Sequence, residues 1–285
     1  MPPAPLSLFQ QHPRHWRQNL YVYPVISRRS KGLSIGVNLN PDTACNFDCI
    51  YCCVDRTVPP AVREVDLDRL RLELDHLLHL AQSAQLFAEP PFDQTPPHLR
   101  RLNDVAFSGD GEPTAYPRFL DACRLVADLL ADHNLPEAKI ITITNATLLH
   151  RPQVAQALDF LDSHNGELWA KLDAGTEAYY HLVDRTTIPF QRILDNITAA
   201  ARQRPIVIQS LFMNIDGAPP PAAEIDAYVA RLRDMLARGA RIKLVQIYTV
   251  ARQTALPNIT PLPEPTLTAI ATQVRTTGLP TEIYP

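Results

Sequence analysis

The chain has 285 residues, 46% of them hydrophobic and 20% charged, with a formal net charge of −3. This length and apolar content suit one large buried core, and the charge balance gives no basic footprint of the kind that favours nucleic acid. No run is apolar for long enough to span a bilayer, and Met1-Pro-Pro-Ala-Pro-Leu lacks the charged start and apolar stretch of a signal peptide, so a cytoplasmic, reducing location is expected.

Residues 1–31 read as a polar and aromatic lead-in, with Trp16, Tyr21 and Tyr23 expected to pack on the body. The basic pairs Arg28-Arg29 and Arg100-Arg101 read as solvated surface. From residue 32 onward, strand-like and helix-like runs alternate. Strands are expected at 33–39, 104–108, 139–144, 168–173, 205–212 and 242–249, each short and rich in Val, Ile or Leu. Helices are expected at 66–82, 117–132, 153–163, 189–202, 222–238 and 264–277. In the first of these, Leu67, Leu70, Leu74, Leu77 and Leu78 mark one face at helical spacing, and Asp66 and Asp68 suit its first turn. The Pro-rich stretch 88–97 reads as a surface insertion, and a short run at 281–284 closes the chain.

Six βα units in series imply parallel strands with right-handed crossovers. The expected organisation is a lead-in over 1–31, a core domain over 32–255, and a C-terminal helix and short strand over 256–285 that complete it. In such sheets ligands bind at the C-terminal ends of the strands. Two unusual turns fall at those ends. One is Cys45-Asn-Phe-Asp-Cys49-Ile-Tyr51-Cys52, and the other is Phe107-Ser-Gly109-Asp110-Gly111-Glu112-Pro-Thr114.

Four of the five cysteines lie within nine residues, which in a reducing compartment points to metal rather than to disulfides. Thiolates are soft ligands that suit zinc or iron–sulfur clusters. A zinc site usually draws two separated pairs of ligands, and no second pair is present. Cys45, Cys49 and Cys52, spaced C-x3-C-x2-C, can instead hold three irons of a [4Fe–4S] cube and leave the fourth open for an exchangeable ligand. Cys53 is expected to point away from Cys52, and Cys123 to sit in a helix core.

This spacing resembles the signature of the radical S-adenosylmethionine (SAM) superfamily. Tyr51 matches that family's aromatic residue before the last cysteine, and Phe107–Thr114 matches its Gly-rich turn ending in Glu. Together with Lys171-Leu-Asp173-Ala, these motifs are most similar to bacterial relatives of the wyosine-base-forming iron–sulfur oxidoreductases. The tRNA-modifying members carry further cysteines for a second cluster, and none precedes Cys45 here, so a single-cluster enzyme is implied.

The resemblance implies a partial (β/α)6 barrel and two cofactors, a [4Fe–4S] cluster and SAM. It implies that SAM binds the open iron, with Tyr51 near the adenine and with Gly109, Asp110, Gly111 and Glu112 toward its charged groups. Glu112 could equally brace its own turn. Asn145, Lys171, Asp173 and Gln209 are polar residues at strand ends that would face the same ligand, and Lys171 and Asp173 share one face and could pair. A one-electron donor of flavodoxin or ferredoxin type would reduce the cluster. SAM would then split into methionine and a 5′-deoxyadenosyl radical, which would take a hydrogen from a small-molecule or peptide substrate. RNA base modification by the same chemistry, and a non-catalytic iron–sulfur protein, are the alternatives.

Overall fold

The computed structural model describes residues 16–252, 254 and 256–285, so residues 1–15 of the expected lead-in lie outside the described part. The chain divides into two compact units. The first holds the residues up to Ala44, Val58–Thr142 and Gln153–Glu167; the second holds Cys45–Thr57, Ile143–Pro152 and Leu168–Pro285.

In the first unit, strands β1 (Val22–Ser27), β2 (Gly32–Val37), β3 (Leu102–Phe107) and β4 (Lys139–Thr144) lie side by side. β1 runs antiparallel to β2, while β2, β3 and β4 are mutually parallel. Helices α1 (Leu67–Gln82), α2 (Phe119–Asp132) and α3 (Pro152–Asp162) alternate with these strands along the chain. α1 begins where the Asp66 side chain accepts from the backbone N–H groups of Asp68 and Arg69, so Asp66 caps the helix and Asp68 lies in its first turn. It buries Leu70, Leu74, Leu77 and Leu78 completely.

β1 falls inside the stretch read as a lead-in. It is held there by a buried charge on α1. The Glu73 carboxylate accepts from the backbone N–H groups of Leu20 and Tyr21, both at 2.9 Å, and of Val22 at 3.2 Å. Arg69 Nε donates to the same carboxylate at 2.7 Å. Hydrogen bonds to an ionised acceptor are stronger than neutral ones, so a single glutamate fixes the strand's entry. Tyr21 and Tyr23 are buried, as the aromatic pattern suggested. The Pro-rich stretch 88–97 folds into short turns that bury Phe92 and Thr95.

In the second unit, β5 (Gly166–Lys171), β6 (Ile206–Leu211), β8 (Ile242–Tyr248) and β10 (Thr281–Tyr284) are parallel neighbours in that order. Helices α4 (Glu177–Asp184), α5 (Phe190–Gln203), α6 (Ala222–Ala237) and α7 (Glu264–Arg275) intervene along the chain. β7 (Met213–Ile215) and β9 (Ile259–Pro261) form a separate antiparallel pair. Every strand and helix expected from periodicity is present within a few residues. β1, β7, β9 and α4 were not anticipated, because each is short or interrupted by proline or aromatic residues that blur its period.

The expected parallel α/β organisation is therefore observed, with β1 as its antiparallel edge. Among the described residues no helix is long and apolar enough to cross a membrane.

Candidate functional site

In the second unit the cysteine loop carries no regular secondary structure. It is fixed by what lies between its cysteines. Phe47, Ile50 and Tyr51 are buried, and Ile50 and Tyr51 pack among Val183, Leu211, Met213 and Ile259. Phe47 meets the Tyr180 ring edge-on at 5.9 Å. The loop backbone is tied to the C-terminal end of α4, where Asp184 O accepts from Asp48 N at 3.1 Å and Val183 O from Ile50 N at 2.9 Å. Helix-end carbonyls lack intrahelical partners, so α4 satisfies them with the loop's own amides.

With the apolar residues turned inward, Cys45, Cys49 and Cys52 are left half-buried, and Cys53 is exposed. Cys49 Sγ lies 3.4 Å from Asp184 Oδ1. Burial first, and Asp184 second, push the Cys49 thiol well above the ordinary cysteine range. Asp184 is itself pushed up, mainly by burial. Cys52 Sγ has the opposite surroundings, with Arg56 Nη1 donating at 3.4 Å and Val54 N at 3.5 Å. Cys53 turns to the Tyr51 carbonyl at 3.7 Å, and Cys123 is fully buried in α2.

Among the described residues no three His, Cys, Asp or Glu side chains are grouped to hold a single metal ion.

Behind the loop, the Tyr51 hydroxyl donates to Asp173 Oδ2 at 2.5 Å. Lys171 Nζ lies 3.1 Å from the same oxygen and donates to the Tyr248 hydroxyl at 2.9 Å. The ammonium also sits 4.8 Å from the Tyr51 ring centroid and 5.5 Å from that of Tyr248. Asp173 Oδ1 accepts from Leu211 N at 2.7 Å. Burial works against the lysine's charge, but Asp173 and Tyr248 outweigh it and hold Lys171 above its ordinary range. Lys171 and Asp173 thus pair, as their shared face allowed.

Asn145 is turned toward the cysteine loop. Its Nδ2 donates to Asn46 Oδ1 at 2.7 Å, and its Oδ1 accepts from Thr147 N at 3.1 Å and Thr147 Oγ1 at 2.7 Å. Gln209, fully buried on β6, donates to Gln246 Oε1 at 2.8 Å, and its own Oε1 has no hydrogen-bond partner among the described residues.

The Gly-rich turn belongs to the first unit and follows β3. Asn38 Nδ2 donates to Asp110 Oδ2 at 2.6 Å, while Asn38 Oδ1 accepts from Asp110 N at 3.2 Å and Asn40 N at 3.0 Å. Neither Gly109 nor Gly111 has a positive φ, so these glycines are there for space rather than for unusual dihedrals. A Cβ on Gly109 would meet Asn38 Oδ1 at 2.3 Å, and one on Gly111 would meet Ala44 O at 2.0 Å. Glu112 is buried and accepts from Thr114 N at 3.1 Å and Thr114 Oγ1 at 2.5 Å, which braces its own turn.

The roles of Asn38, Asn46, Arg56 and Asp184 escaped the sequence reading, because each acts through a contact that no period or spacing rule singles out.

A Cys-x3-Cys-x2-Cys loop and a Gly-rich turn on a parallel α/β framework define a radical SAM protein. Residues 39–219 match the Radical SAM superfamily profile, and the chain belongs to that superfamily, whose members are generally enzymes. Among curated proteins it is similar to a UPF0026 protein of Helicobacter pylori, 29% identical over 142 residues that cover 49% of this chain and 39% of the relative. It is also similar to a UPF0026 protein of Methanocaldococcus jannaschii, 28% identical over 163 residues covering 53% and 42%. The matches thus span about two-fifths of the relatives' own length.

Among solved structures, a radical SAM methyltransferase from Sphaerobacter thermophilus superposes with a TM-score of 0.64 at 14% identity, covering 92% of this chain and 68% of that one. Streptococcus suis SuiB bound to S-adenosylmethionine gives 0.59 at 12% identity, covering 90% and 52%. TYW1 with a lysine-pyruvate adduct bound gives 0.52 at 14% identity, covering 87% and 74%. The partial-barrel fold expected from the sequence is the fold these proteins share.

Proposed function

We propose that this chain is a single-cluster radical SAM enzyme acting on a small molecule or a peptide. The observation that carries the proposal is the cysteine loop itself, with three half-buried thiols held in place by the packed residues between them. Soft sulfur donors suit an iron–sulfur cluster.

Cys45, Cys49 and Cys52 would hold a [4Fe–4S] cluster. With SAM bound, the pair would supply reductive cleavage to methionine and a 5′-deoxyadenosyl radical able to abstract hydrogen from the substrate. The protein's part is binding, orientation and exclusion of water. Tyr51 would offer its ring to the adenine while its hydroxyl stays anchored on Asp173. Lys171 and Asp173 present a fixed cation and anion for the polar groups of SAM. As the family resemblance implies, the backbone at Gly109, Asp110 and Gly111 would offer carbonyls to its ammonium group, and Glu112 would keep that turn in shape. Asn145 would brace the loop through Asn46, and Gln209 has an acceptor oxygen to give. A one-electron donor of flavodoxin or ferredoxin type in the cytoplasm would complete the system.

Anaerobic reconstitution with iron and sulfide tests this reading. About four irons and four sulfides per chain are expected, with binding lost in Cys45→Ala, Cys49→Ala or Cys52→Ala and kept in Cys53→Ala. Adding SAM and a strong reductant should release 5′-deoxyadenosine. A loaded protein that releases none is not an enzyme of this kind.

A further inference from the structure

We propose that Arg56 is a positioning residue for the cluster ligand Cys52, one that raises the reduction potential of the cluster. This rests on the radical SAM reading above and adds to it a residue outside the cysteine motif. Arg56 Nη1 donates to Cys52 Sγ at 3.4 Å, and Val54 N approaches the same sulfur at 3.5 Å. Cys52 is therefore a ligand with two N–H donors on its sulfur, one of them on a permanent cation. The side chain is 31% exposed, and the Asp48 carboxylate stands off at 4.0 Å.

The physical argument is one of charge. Reduction places one more electron on a cluster whose thiolate ligands are already anionic. N–H donors to the ligand sulfurs, and a nearby cation, stabilise that more negative state and shift the potential upward. A guanidinium keeps its charge at every working pH and offers a planar fork of donors, which makes it a stable device for this task. The neighbouring Arg185 provides an internal comparison. It pairs with the same Asp48 at 3.9 Å and is 48% exposed, but among the described residues no hydrogen bond joins it to a cysteine sulfur.

The test is potentiometry on the reconstituted protein, followed by electron paramagnetic resonance, with iron and sulfide content measured on the same samples. Arg56→Gln should load a full cluster and lower its reduction equilibrium constant about tenfold, which is 59 mV for a one-electron couple. Arg56→Lys, which keeps the charge and loses the fork, should fall between Arg56→Gln and the parent protein. It carries the test if Arg56→Gln loads poorly. Arg185→Gln should leave the potential near that of the parent. A full cluster in Arg56→Gln at the parent's potential overturns this inference alone, as would equal shifts in Arg56→Gln and Arg185→Gln. Failure of the parent protein itself to take up a cluster would instead sink the reading on which the inference rests.

Discussion

The Tyr51 hydroxyl donates to Asp173 Oδ2 at 2.5 Å, joining the residue before the third motif cysteine to a residue just past the end of β5, 122 positions further along the chain. Lys171 shares that carboxylate oxygen, so one aspartate holds a tyrosine, a lysine and the Leu211 amide in a buried knot. Removing the carboxylate leaves a buried ammonium uncompensated. Asp173→Ala should therefore cost about 3–5 kcal/mol, the range for breaking one side of a buried ion pair. Lys171→Met should cost less, because Asp173 keeps Tyr51 and Leu211 as donors. Urea denaturation checks both, and equal costs would show that the carboxylate is not the centre of the knot.

A second buried carboxylate makes stability depend on pH. In the first unit, Asp104 on β3 accepts from Ser34 Oγ, and its Oδ2 has no hydrogen-bond partner among the described residues. Burial raises its pKa from the usual 3.8 to about 6. The folded chain thus keeps a proton that the unfolded chain gives up earlier. The favourable contribution is complete below pH 3.8, declines as pH rises, and is lost above about 6. The full swing is about 3 kcal/mol, at 1.36 kcal/mol for each pKa unit. Asp104→Asn, neutral throughout, should be more stable than the parent at pH 8 and lose that advantage near pH 4. Melting temperature against pH reads the difference, and parallel profiles would count against it.

At Gly111 the obstacle to a side chain is backbone. An added Cβ would meet Ala44 O at 2.0 Å, and a carbonyl cannot rotate aside as a side chain would. Gly111→Ala should cost about 3 kcal/mol, the upper part of the range for overpacking. Gly217 is a useful contrast. It has open space around it but a φ of +78°, so Gly217→Ala should cost only the left-handed strain of about 1 kcal/mol. Chemical denaturation of the two variants ranks them, and the reverse order would show that the turn can move.

The parts of the fold legible in the sequence were those governed by a period. The leucines of α1 and the Val/Ile-rich runs of β6 and β8 bury one continuous face or a whole strand, and such patterns survive tertiary context. β1 was not legible because Pro24 interrupts it and because its anchor, Glu73, sits on a helix fifty residues away. The cysteine loop and the Gly-rich turn were visible as motifs, but their supports were not. Asn46, Arg56 and Asp184 act through contacts across long sequence separations or inside irregular loops, where no spacing rule applies. Gly109 and Gly111 were visible as part of that turn, but the close approach of Asn38 and Ala44, which is what excludes a side chain there, was not.

Helix α4, absent from the periodicity, links a distant glutamate to the cysteine loop. Glu224 on α6 is buried and accepts from the backbone N–H groups of Gly175 and Thr176, at 2.5 and 3.3 Å, and from Thr176 Oγ1 at 2.6 Å. Thr176 in turn caps α4 by accepting from Tyr179 N at 3.2 Å. At its other end, α4 gives the carbonyls of Val183 and Asp184 to the loop. Glu224→Ala strips the cap of its support and leaves buried amides unpaired. With hydrogen bonds to a charged group worth about 1.5–3 kcal/mol each, a loss on the order of 3 kcal/mol is expected. If α4 transmits that loosening, the reconstituted variant should also release iron faster during anaerobic gel filtration, although Glu224 touches no cysteine. Glu224→Gln, which keeps one acceptor, should lie between. A variant that is destabilised yet keeps its iron as well as the parent would show that the loop holds its shape without the helix.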